Sequence, residues 1–409
     1  MHQVAFIVHM VPRFVTDFGA VARHCVARGI RTTIYSPATR SASRAGWAQP
    51  ELAAGYVAAL PAAAELRAMP FDRERLEPFS LLRTMGFAWS LARRGRDATF
   101  VLWTVIPIIV CGLPLRVLRR RCVFLLTGLG SIFGSDLLRY RIARPVVRQI
   151  YRFLFSGPHS RVIVHNHEDK AFLCELGIRA GHVTVTPGCG VDPAEFPFIQ
   201  DLPCKSRKII LVPVRLLEEK GVCDAAAASA ILAARGVDHE MWFSCSVDPG
   251  NPSSLTEEQI SLMQRTIPSI RFVGYQPSLV PLYAASDAVC IPTRYREGLP
   301  TALLEAAACG RPIVATDNVG CRDFVVDGET GLLARRCSPN ALADALARVL
   351  GDEALASRLR CAAYDRFRAG FTKAHMLAAT IAVMRDLGLE SAAPPAEPIL
   401  GSAVAAALT

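Results

Sequence analysis

The chain has 409 residues, of which 51% are apolar and 20% charged, and this composition excludes a disordered or fibrous protein. A chain of this length is longer than one typical hydrophobic core and predicts two domains. Its net charge of +10 lies in the first half, because residues 1–195 carry 25 Lys and Arg against 13 Asp and Glu, whereas residues 196–409 carry 21 against 23.

Short apolar strands alternate with helical stretches along both halves. In the first half, strands are predicted at residues 4–9, 32–35, 100–104, 122–127, 162–165 and 183–186. In the second half, they are predicted at 208–214, 240–245, 270–273, 288–291 and 312–315. Strands separated by helices form parallel sheets, so the pattern predicts the α/β class with two doubly wound, Rossmann-like domains.

The domain boundaries follow from composition. The stretch around residues 188–207 holds three prolines and many polar residues, so we expect a first domain at 1–195 and a second at 196–370. A terminal helix is expected at 371–390. Residues 391–409 are low in complexity and predict a disordered tail.

The cellular compartment is suggested by the cysteines and by the first residues. The thirteen cysteines include no Cys-x-x-Cys pair, which argues against structural zinc or a disulfide framework and favours a reducing cytoplasm. The first residues, MHQVAFIVHMV, lack the basic region and cleavage site of a signal peptide and predict a buried strand.

An uncharged run at residues 98–115, ATFVLWTVIPIIVCGLPL, reaches the lower length limit for a membrane span. It divides into a β-rich stretch and a helix that begins at Pro107, and it contains a second proline, Pro114. We therefore expect a buried strand and an apolar helix rather than a span. Because the helix leads into Arg116 and further arginines, it is also a candidate for contact with an anionic bilayer surface.

The stretch YREGLPTALLEAAACGRPIVAT, residues 295–316, predicts a ligand site. A helix should begin at Pro300 or Thr301, because proline suits the first helical turn. Gly298 lets the backbone approach a ligand closely. A helix N-terminus at the carboxyl end of a parallel strand binds anions, so a phosphate is expected near the amides that begin at Leu299.

Two glutamates flank this helix start, Glu297 in the preceding loop and Glu305 in the second turn. Carboxylates accept hydrogen bonds from sugar hydroxyls and are poor partners for phosphate. A nucleotide sugar consists, in order, of a sugar, a diphosphate, a ribose and a base. It would therefore place hydroxyl groups near both glutamates. Taken alone, the two glutamates fit a second interpretation equally well, in which Glu297 is a surface acid and Glu305 a solvated helix residue.

The segment VPVRLLEEKG places Arg215 and Lys220 in the loop after the first strand of the second domain, at the same edge of the sheet. Two cations there can balance a diphosphate as it leaves. Such a run is also common at exposed helix starts. Because no Asp-x-Asp occurs in the chain, we expect no metal and no other cofactor.

These motifs, together with VGCRDFVVDGETGLL at 319–333, resemble the retaining family-4 glycosyltransferases of the GT-B fold. The resemblance implies two Rossmann-like domains facing across a cleft, with the helix at 371–390 crossing back to the first. It implies that Arg215 and Lys220 bind the donor diphosphate and that Glu297, the third catalytic residue, binds the transferred sugar. The implied donor-binding residues are Glu305, on the ribose, and Gly298, Leu299, Pro300 and Thr301.

Three loops of the first half, LTGLGSIF, HNHEDKAFL and PGCGVDPAEF, resemble the branch of this family that extends undecaprenyl-diphosphate-linked sugars. The implied acceptor-side residues are Thr127, Gly128, Gly130, Asn166 and Asp169. Cys189 stands where that branch has a serine. The histidine that many family-4 enzymes carry in the Thr127 loop is absent, so no catalytic histidine is predicted. Gly19 sits where GT-B enzymes place a glycine near the donor phosphate at a helix start.

The resemblance thus implies a retaining hexosyl or N-acetylhexosaminyl transferase. Its donor would be a nucleotide sugar, most often UDP-linked in this branch, and its acceptor an undecaprenyl-diphosphate-linked sugar in O-antigen, capsule or exopolysaccharide biosynthesis. Two alternatives remain: a catalytically silent GT-B scaffold in a polysaccharide-assembly complex, and a UDP-sugar 2-epimerase.

The basic first half predicts an anionic partner, either a membrane surface or a nucleic acid, unless it reflects only an Arg-rich genome. No nucleic-acid recognition pattern supports the second partner. An anionic lipid acceptor in an anionic bilayer accounts for the charge without a span. We therefore expect a cytoplasmic protein, peripheral on the inner face of the plasma membrane.

Overall fold

The computed structural model describes residues 2–37, 55–71, 77–134, 138–200, 207–245, 247–248, 251 and 253–389. These residues form two compact units. The first consists of the described residues up to Cys189 together with those from Lys373 onward, and the second runs from Gly190 to Thr372. The predicted tail at 391–409 lies outside the described residues.

The first unit is built on a parallel sheet. Its strands are β1 (Gln3–Ile7), β2 (Arg31–Pro37), β3 (Glu65–Met69), β4 (Ala98–Trp103), β5 (Arg121–Leu126), β6 (Ser160–Val164) and β7 (Val183–Val185). They pair in the order β3-β2-β1-β4-β5-β6-β7. The sequence predicted six of these strands and missed β3, because β3 reads ELRAM and its three central residues are exposed.

Helices cover both faces of this sheet. They are α1 (Val11–Ala27), α2 (Pro78–Arg94), α3 (Val105–Val117), α4 (Gly130–Gly134), α5 (Leu138–Phe155), α6 (His167–Glu175) and the last helix of the chain, α14 (Lys373–Asp386). Successive strand residues point to opposite faces. One face packs against α1 and α14, and the other packs against α2, α3 and α5.

The uncharged run at 98–115 forms β4 and most of α3, which confirms the expected buried strand and apolar helix. The helix begins at Val105, two residues before the predicted start. Ile108, Cys111 and Leu115 are buried in the core between α2 and α5, so the apolar face of α3 is not available to a bilayer. Every helix among the described residues is too short or too polar to span a bilayer.

The second unit contains a second parallel sheet. Its strands are β8 (Lys208–Val212), β9 (His239–Phe243), β10 (Ile270–Phe272), β11 (Ala288–Ile291), β12 (Ile313–Thr316) and β13 (Leu332–Ala334), in the order β10-β9-β8-β11-β12-β13. Its helices are α7 (Val222–Ala234), α8 (Glu257–Thr266), α9 (Val280–Ala285), α10 (Thr301–Ala308), α11 (Cys321–Phe324), α12 (Pro339–Gly351) and α13 (Glu353–Gly370). The sequence missed only the short edge strand β13.

The strand order reverses once in each sheet, between β1 and β4 in the first unit and between β8 and β11 in the second. In open α/β sheets, ligands bind at the carboxyl edge of the strands at such a point. The predicted cation loop follows β8 and the YREGLP loop follows β11. Both predicted ligand loops therefore start at the switch point of the second unit.

Candidate active site

Gly221 allows the loops after β8 and β11 to lie directly against each other. It has a φ of 74°, and a Cβ at this position would lie 1.9 Å from the backbone oxygen of Pro292. The backbone amide of Arg294 donates to the oxygen of Glu219 (2.9 Å), and Nε of Arg294 donates to Oδ2 of Asp224 (2.6 Å) at the start of α7. The two loops are thus one hydrogen-bonded structure.

Lys220 and Glu297 meet where these loops touch. Nζ of Lys220 lies 2.5 Å from Oε2 of Glu297, and it also lies 5.2 Å from the centre of the Tyr295 ring. Little of either charged side chain reaches solvent, which strengthens their attraction. The structure therefore brings together two of the three predicted catalytic residues, which are 77 positions apart in the sequence.

Arg215, the third predicted catalytic residue, is exposed in the loop after β8. Its guanidinium makes no hydrogen bond or ion pair with the residues that the structure describes. Burial raises the pKa of Tyr295, whereas the positive charges of Lys220 and Arg215 lower it, so Arg215 lies within electrostatic range of this ring. The exposed guanidinium can therefore reach an anion at this loop.

The end of β12 supports the loop that carries Glu297. Oγ1 of Thr316 donates to the oxygen of Thr293 (2.6 Å), and Nδ2 of Asn318 donates to the oxygen of Tyr295 (2.7 Å). Neither Thr316 nor Asn318 was predicted as a positioning residue, since nothing in a short polar side chain after a strand identifies its partner.

Residues Gly298, Leu299 and Pro300 are buried and lead into α10, which begins at Thr301 as predicted. A Cβ on Gly320, which has a φ of 82°, would lie 2.3 Å from the oxygen of Gly298. The backbone before α10 is therefore closely packed from behind, and the helix N-terminus is fixed at the carboxyl edge of the sheet.

Glu305 lies one helical turn after Thr301 and receives a hydrogen bond from a buried tyrosine. The hydroxyl of Tyr283, on α9, donates to Oε2 of Glu305 (2.8 Å). Burial raises the pKa of Tyr283 well above its usual value, and the negative charge of Glu305 raises it further, so the phenol stays protonated. Sequence reasoning missed Tyr283, because a tyrosine in the segment VPLYAA resembles an ordinary core residue.

The predicted acceptor-side residues follow strands of the first unit. Thr127, Gly128 and Gly130 lie after β5, and Gly130 is the first residue of α4. Asn166 and Asp169 are fully buried: Oδ1 of Asn166 accepts from the backbone amide of Asp169 (2.6 Å), and Nδ2 of Asn166 donates to Oδ2 of Asp169 (3.0 Å). These two residues cap α6 and fix the loop after β6.

Gly19 lies inside α1, eight positions after its first residue, and not at a helix start. The placement that the resemblance implied therefore does not occur in this chain. A Cβ at Gly19 would lie 3.3 Å from Nη1 of Arg23, so this glycine sits in a packed part of the helix. A role of Gly19 toward the donor remains a prediction.

The switch point of the first unit carries a strained residue that the sequence did not reveal. Thr104, directly after β4, has a φ of 75°, which is rare for a β-branched residue. Its Oγ1 lies 3.3 Å from Nδ1 of His9, and the His9 ring packs 4.9 Å from that of Trp103. Because backbone strain concentrates at ligand sites, we add His9 and Thr104 to the acceptor-side candidates.

No cluster of His, Cys, Asp and Glu suited to a metal ion occurs among the described residues. Residues 197–366 match the family model described as glycosyl transferases group 1. The chain is thus similar to the group 1 glycosyltransferases over nearly all of its second unit. Its two parallel-sheet units have the GT-B fold. The structure of HepE from Anabaena in complex with UDP and glucose aligns with a TM-score of 0.69 and 14% identity, over 94% of this chain and 99% of that one.

Two curated relatives of this chain carry names for different activities. A Campylobacter jejuni protein named N,N'-diacetylbacillosaminyl-diphospho-undecaprenol alpha-1,3-N-acetylgalactosaminyltransferase is 25% identical over 56% of this chain and 61% of its own length. A glycogen synthase of Mycobacterium tuberculosis is 33% identical over 44% of this chain and 43% of its own length. The chain thus spans about half of the length of these relatives.

Proposed function

We propose that this glycosyltransferase moves a sugar from a UDP-linked nucleotide sugar to a saccharide carried on an undecaprenyl diphosphate, with retention of anomeric configuration. The observation that carries the proposal is the Lys220–Glu297 pair at the switch point of the second unit, beside the exposed Arg215 and the start of α10. Cations, a helix N-terminus and an acid at one sheet edge suit a ligand with both phosphate and sugar.

Lys220 and Arg215 would bind the donor diphosphate. As the bond between the sugar and the diphosphate breaks, negative charge grows on the leaving oxygen, and these cations together with the N-terminal amides of α10 would stabilise it. The acceptor hydroxyl would attack from the same face, and the leaving phosphate would take its proton. No carboxylate nucleophile is needed in this scheme.

The lysine can serve both the donor and the acid beside it. An ammonium group has three N–H donors, so Lys220 can hold Glu297 and a phosphate oxygen at the same time. Held in this way, the Glu297 carboxylate would accept from hydroxyls of the transferred sugar. Glu305 would accept from the ribose while keeping its hydrogen bond from Tyr283, since a carboxylate has about four lone-pair positions.

The donor and acceptor classes rest on relatives. HepE was solved with UDP, and the Campylobacter relative is named for a sugar linked to diphospho-undecaprenol. The basic first half suits a diphosphate acceptor in an anionic bilayer. We therefore place the reaction at the cytoplasmic membrane surface, in the assembly of a surface polysaccharide, with Thr127, Gly128, Gly130, His9 and Thr104 on the acceptor side and Asn166 and Asp169 positioning its loop.

A thermal-shift screen against UDP, GDP, ADP and their common sugars tests the donor site. A nucleotide at a hundred times its dissociation constant should stabilise the protein by about 2.7 kcal/mol. The shift should be lost in Glu305→Ala and kept in Glu329→Ala, which removes an exposed glutamate of the same unit. If no nucleotide shifts the wild type, the donor proposal fails and the silent scaffold gains support.

Analysis of the reaction products distinguishes a retaining transferase from an inverting transferase and from a 2-epimerase. With a nucleotide sugar and an undecaprenyl-diphosphate-linked acceptor, mass spectrometry should detect the extended lipid, and NMR should show the anomeric configuration of the donor retained. Inversion would refute the mechanism. An epimerised nucleotide sugar formed without any acceptor would instead identify a 2-epimerase.

A further inference from the structure

Helix α5 buries one apolar face and exposes another. Four large apolar side chains are exposed to solvent: Leu138 by 69%, Ile142 by 68%, Val146 by 61% and Phe153 by 45%. At 3.6 residues per turn, these four lie within an arc of about 80° around the helix. The buried side of the same helix contributes Val147, Tyr151, Leu154 and Phe155 to the core. The exposed row is thus not needed to hold the helix on its sheet.

A row of arginines lies beside the apolar row. The sequence of α5 has five arginines and no acidic residue. Arg141, Arg148 and Arg152 are exposed and fall within a second arc of about 40°, which lies between the apolar row and the buried face. Arg116, at the end of α3, extends the positive charge and lies 5.1 Å from the centre of the Phe153 ring.

We name this area the α5 surface: Leu138, Ile142, Val146 and Phe153 with Arg141, Arg148 and Arg152. A second exposed apolar pair, Phe79 (70%) and Leu82 (60%), lies on α2, which covers the same face of the sheet. An apolar row bordered by arginines along one helix is the pattern of a segment that lies in the plane of a bilayer interface.

We propose that the α5 surface docks on an anionic lipid bilayer, with the apolar row inserted among the headgroups and the arginines on lipid phosphates. The proposal gives a location to the membrane contact on which the proposed function relies. The segment that the sequence suggested for this contact, α3, has no exposed residue before Val117, whereas α5 exposes an apolar row and lies in the half of the chain that carries the basic excess.

A second copy of the chain is a poorer occupant of the α5 surface. Stacking two such surfaces brings two arginine rows together, and α5 contains no acid to compensate them. Like charges facing each other across an interface oppose association. An anionic bilayer supplies the opposite charge and an apolar interior together.

Co-sedimentation with mixed phosphatidylcholine–phosphatidylglycerol vesicles tests the proposal, with pure phosphatidylcholine vesicles as the neutral comparison. The wild type should bind the mixed vesicles and be released by salt, because the arginine contacts are screened. Ile142→Glu and Val146→Glu should each weaken binding by about tenfold or more, since a charge replaces an inserted side chain. Leu262→Glu is the matched control, because Leu262 is 55% exposed in the second unit and should bind as the wild type does.

Several results would overturn the proposal: equal binding of Ile142→Glu and wild type, no binding of the wild type to mixed vesicles, or self-association of the wild type that Ile142→Glu abolishes. The thermal unfolding transition of each sample without ligand shows that each variant is folded. The UDP thermal shift, measured on the same samples, separates the two proposals. Vesicle binding without a nucleotide shift refutes the donor site alone, and a nucleotide shift without vesicle binding refutes the α5 surface alone.

Discussion

Replacing Gly221 by alanine should disable the second unit's site without removing any of its functional groups. The added Cβ would lie 1.9 Å from the oxygen of Pro292, whereas real contacts of this kind are not shorter than 3.0 Å. The two loops must therefore separate by about 1 Å, because a close-packed interior has no empty space for the added methyl group. Since Lys220 precedes Gly221 and Glu297 follows Pro292 on the facing loop, this displacement acts directly on their 2.5 Å contact.

The expected magnitude has two parts. Alanine in the left-handed region costs about 1–2 kcal/mol of stability, and a displacement of about 1 Å between groups that act together can reduce turnover by about a hundredfold. Gly236→Ala separates the two parts, because Gly236 has a φ of 78° and a Cβ there would meet nothing within 4 Å. Gly236→Ala should lose the stability that alanine costs in the left-handed region and should keep the kcat/KM of the wild type.

The assay is urea unfolding together with kcat/KM for sugar transfer, measured on wild type, Gly221→Ala and Gly236→Ala. Gly221→Ala should lose more stability than the control and about a hundredfold in kcat/KM. The reasoning is refuted if the two variants are equally stable and equally active. That result would mean that the loops can separate at no cost and that their close approach does not hold the site together.

Three other changes probe single contacts. Glu297→Gln removes the charge that faces Lys220 and should reduce kcat by orders of magnitude in a folded protein; kcat near that of wild type would remove Glu297 from the reaction. Tyr283→Phe removes the donor to Glu305 and should raise KM for the nucleotide sugar about tenfold with little change in kcat, since one hydrogen bond to a charged group is worth about 1.5–3 kcal/mol; an unchanged KM would contradict the ribose role. Burial lowers the pKa of His165 to about 4 from 6.5. Between these two pH values, the unfolded chain binds a proton that the folded chain does not bind. The free energy of unfolding should therefore fall as the pH drops from 6.5 to about 4. Urea unfolding should show a loss of about 2 kcal/mol by about pH 5 in the wild type and no such loss in His165→Asn. If the free energy of unfolding depends on pH equally in both proteins, the role of His165 is refuted.

Much of the second unit was predictable because its strands and helix starts are specified by residues that lie close together in the sequence. Proline is common in the first turn of a helix or just before it, so Pro300 correctly marked the start of α10. The partners of the site residues were not predictable. The contact of Lys220 with Glu297, and that of Tyr283 with Glu305, depend on how distant segments pack, which no motif spacing encodes.

The membrane contact shows a different limit of sequence reasoning. Hydrophobicity along the chain reports how apolar a segment is but not what covers it. The uncharged run at 98–115 is covered by protein, whereas α5, with its five arginines, exposes an apolar row. Only the packed structure distinguishes a core helix from one that presents apolar side chains to its surroundings.

The last helix, α14, has a consequence for how the chain is made. It completes the first unit, where Met376 and Met384 are buried in the core shared with α1. At about 5–20 residues per second, a ribosome needs roughly 10–40 s to proceed from the end of that unit's first segment to this helix. During this interval the nascent first unit shows an unfinished apolar face while the second unit is still being translated. Its folding therefore ends only after α14 has left the ribosome, and chaperone binding at that face should decide the yield of newly made protein.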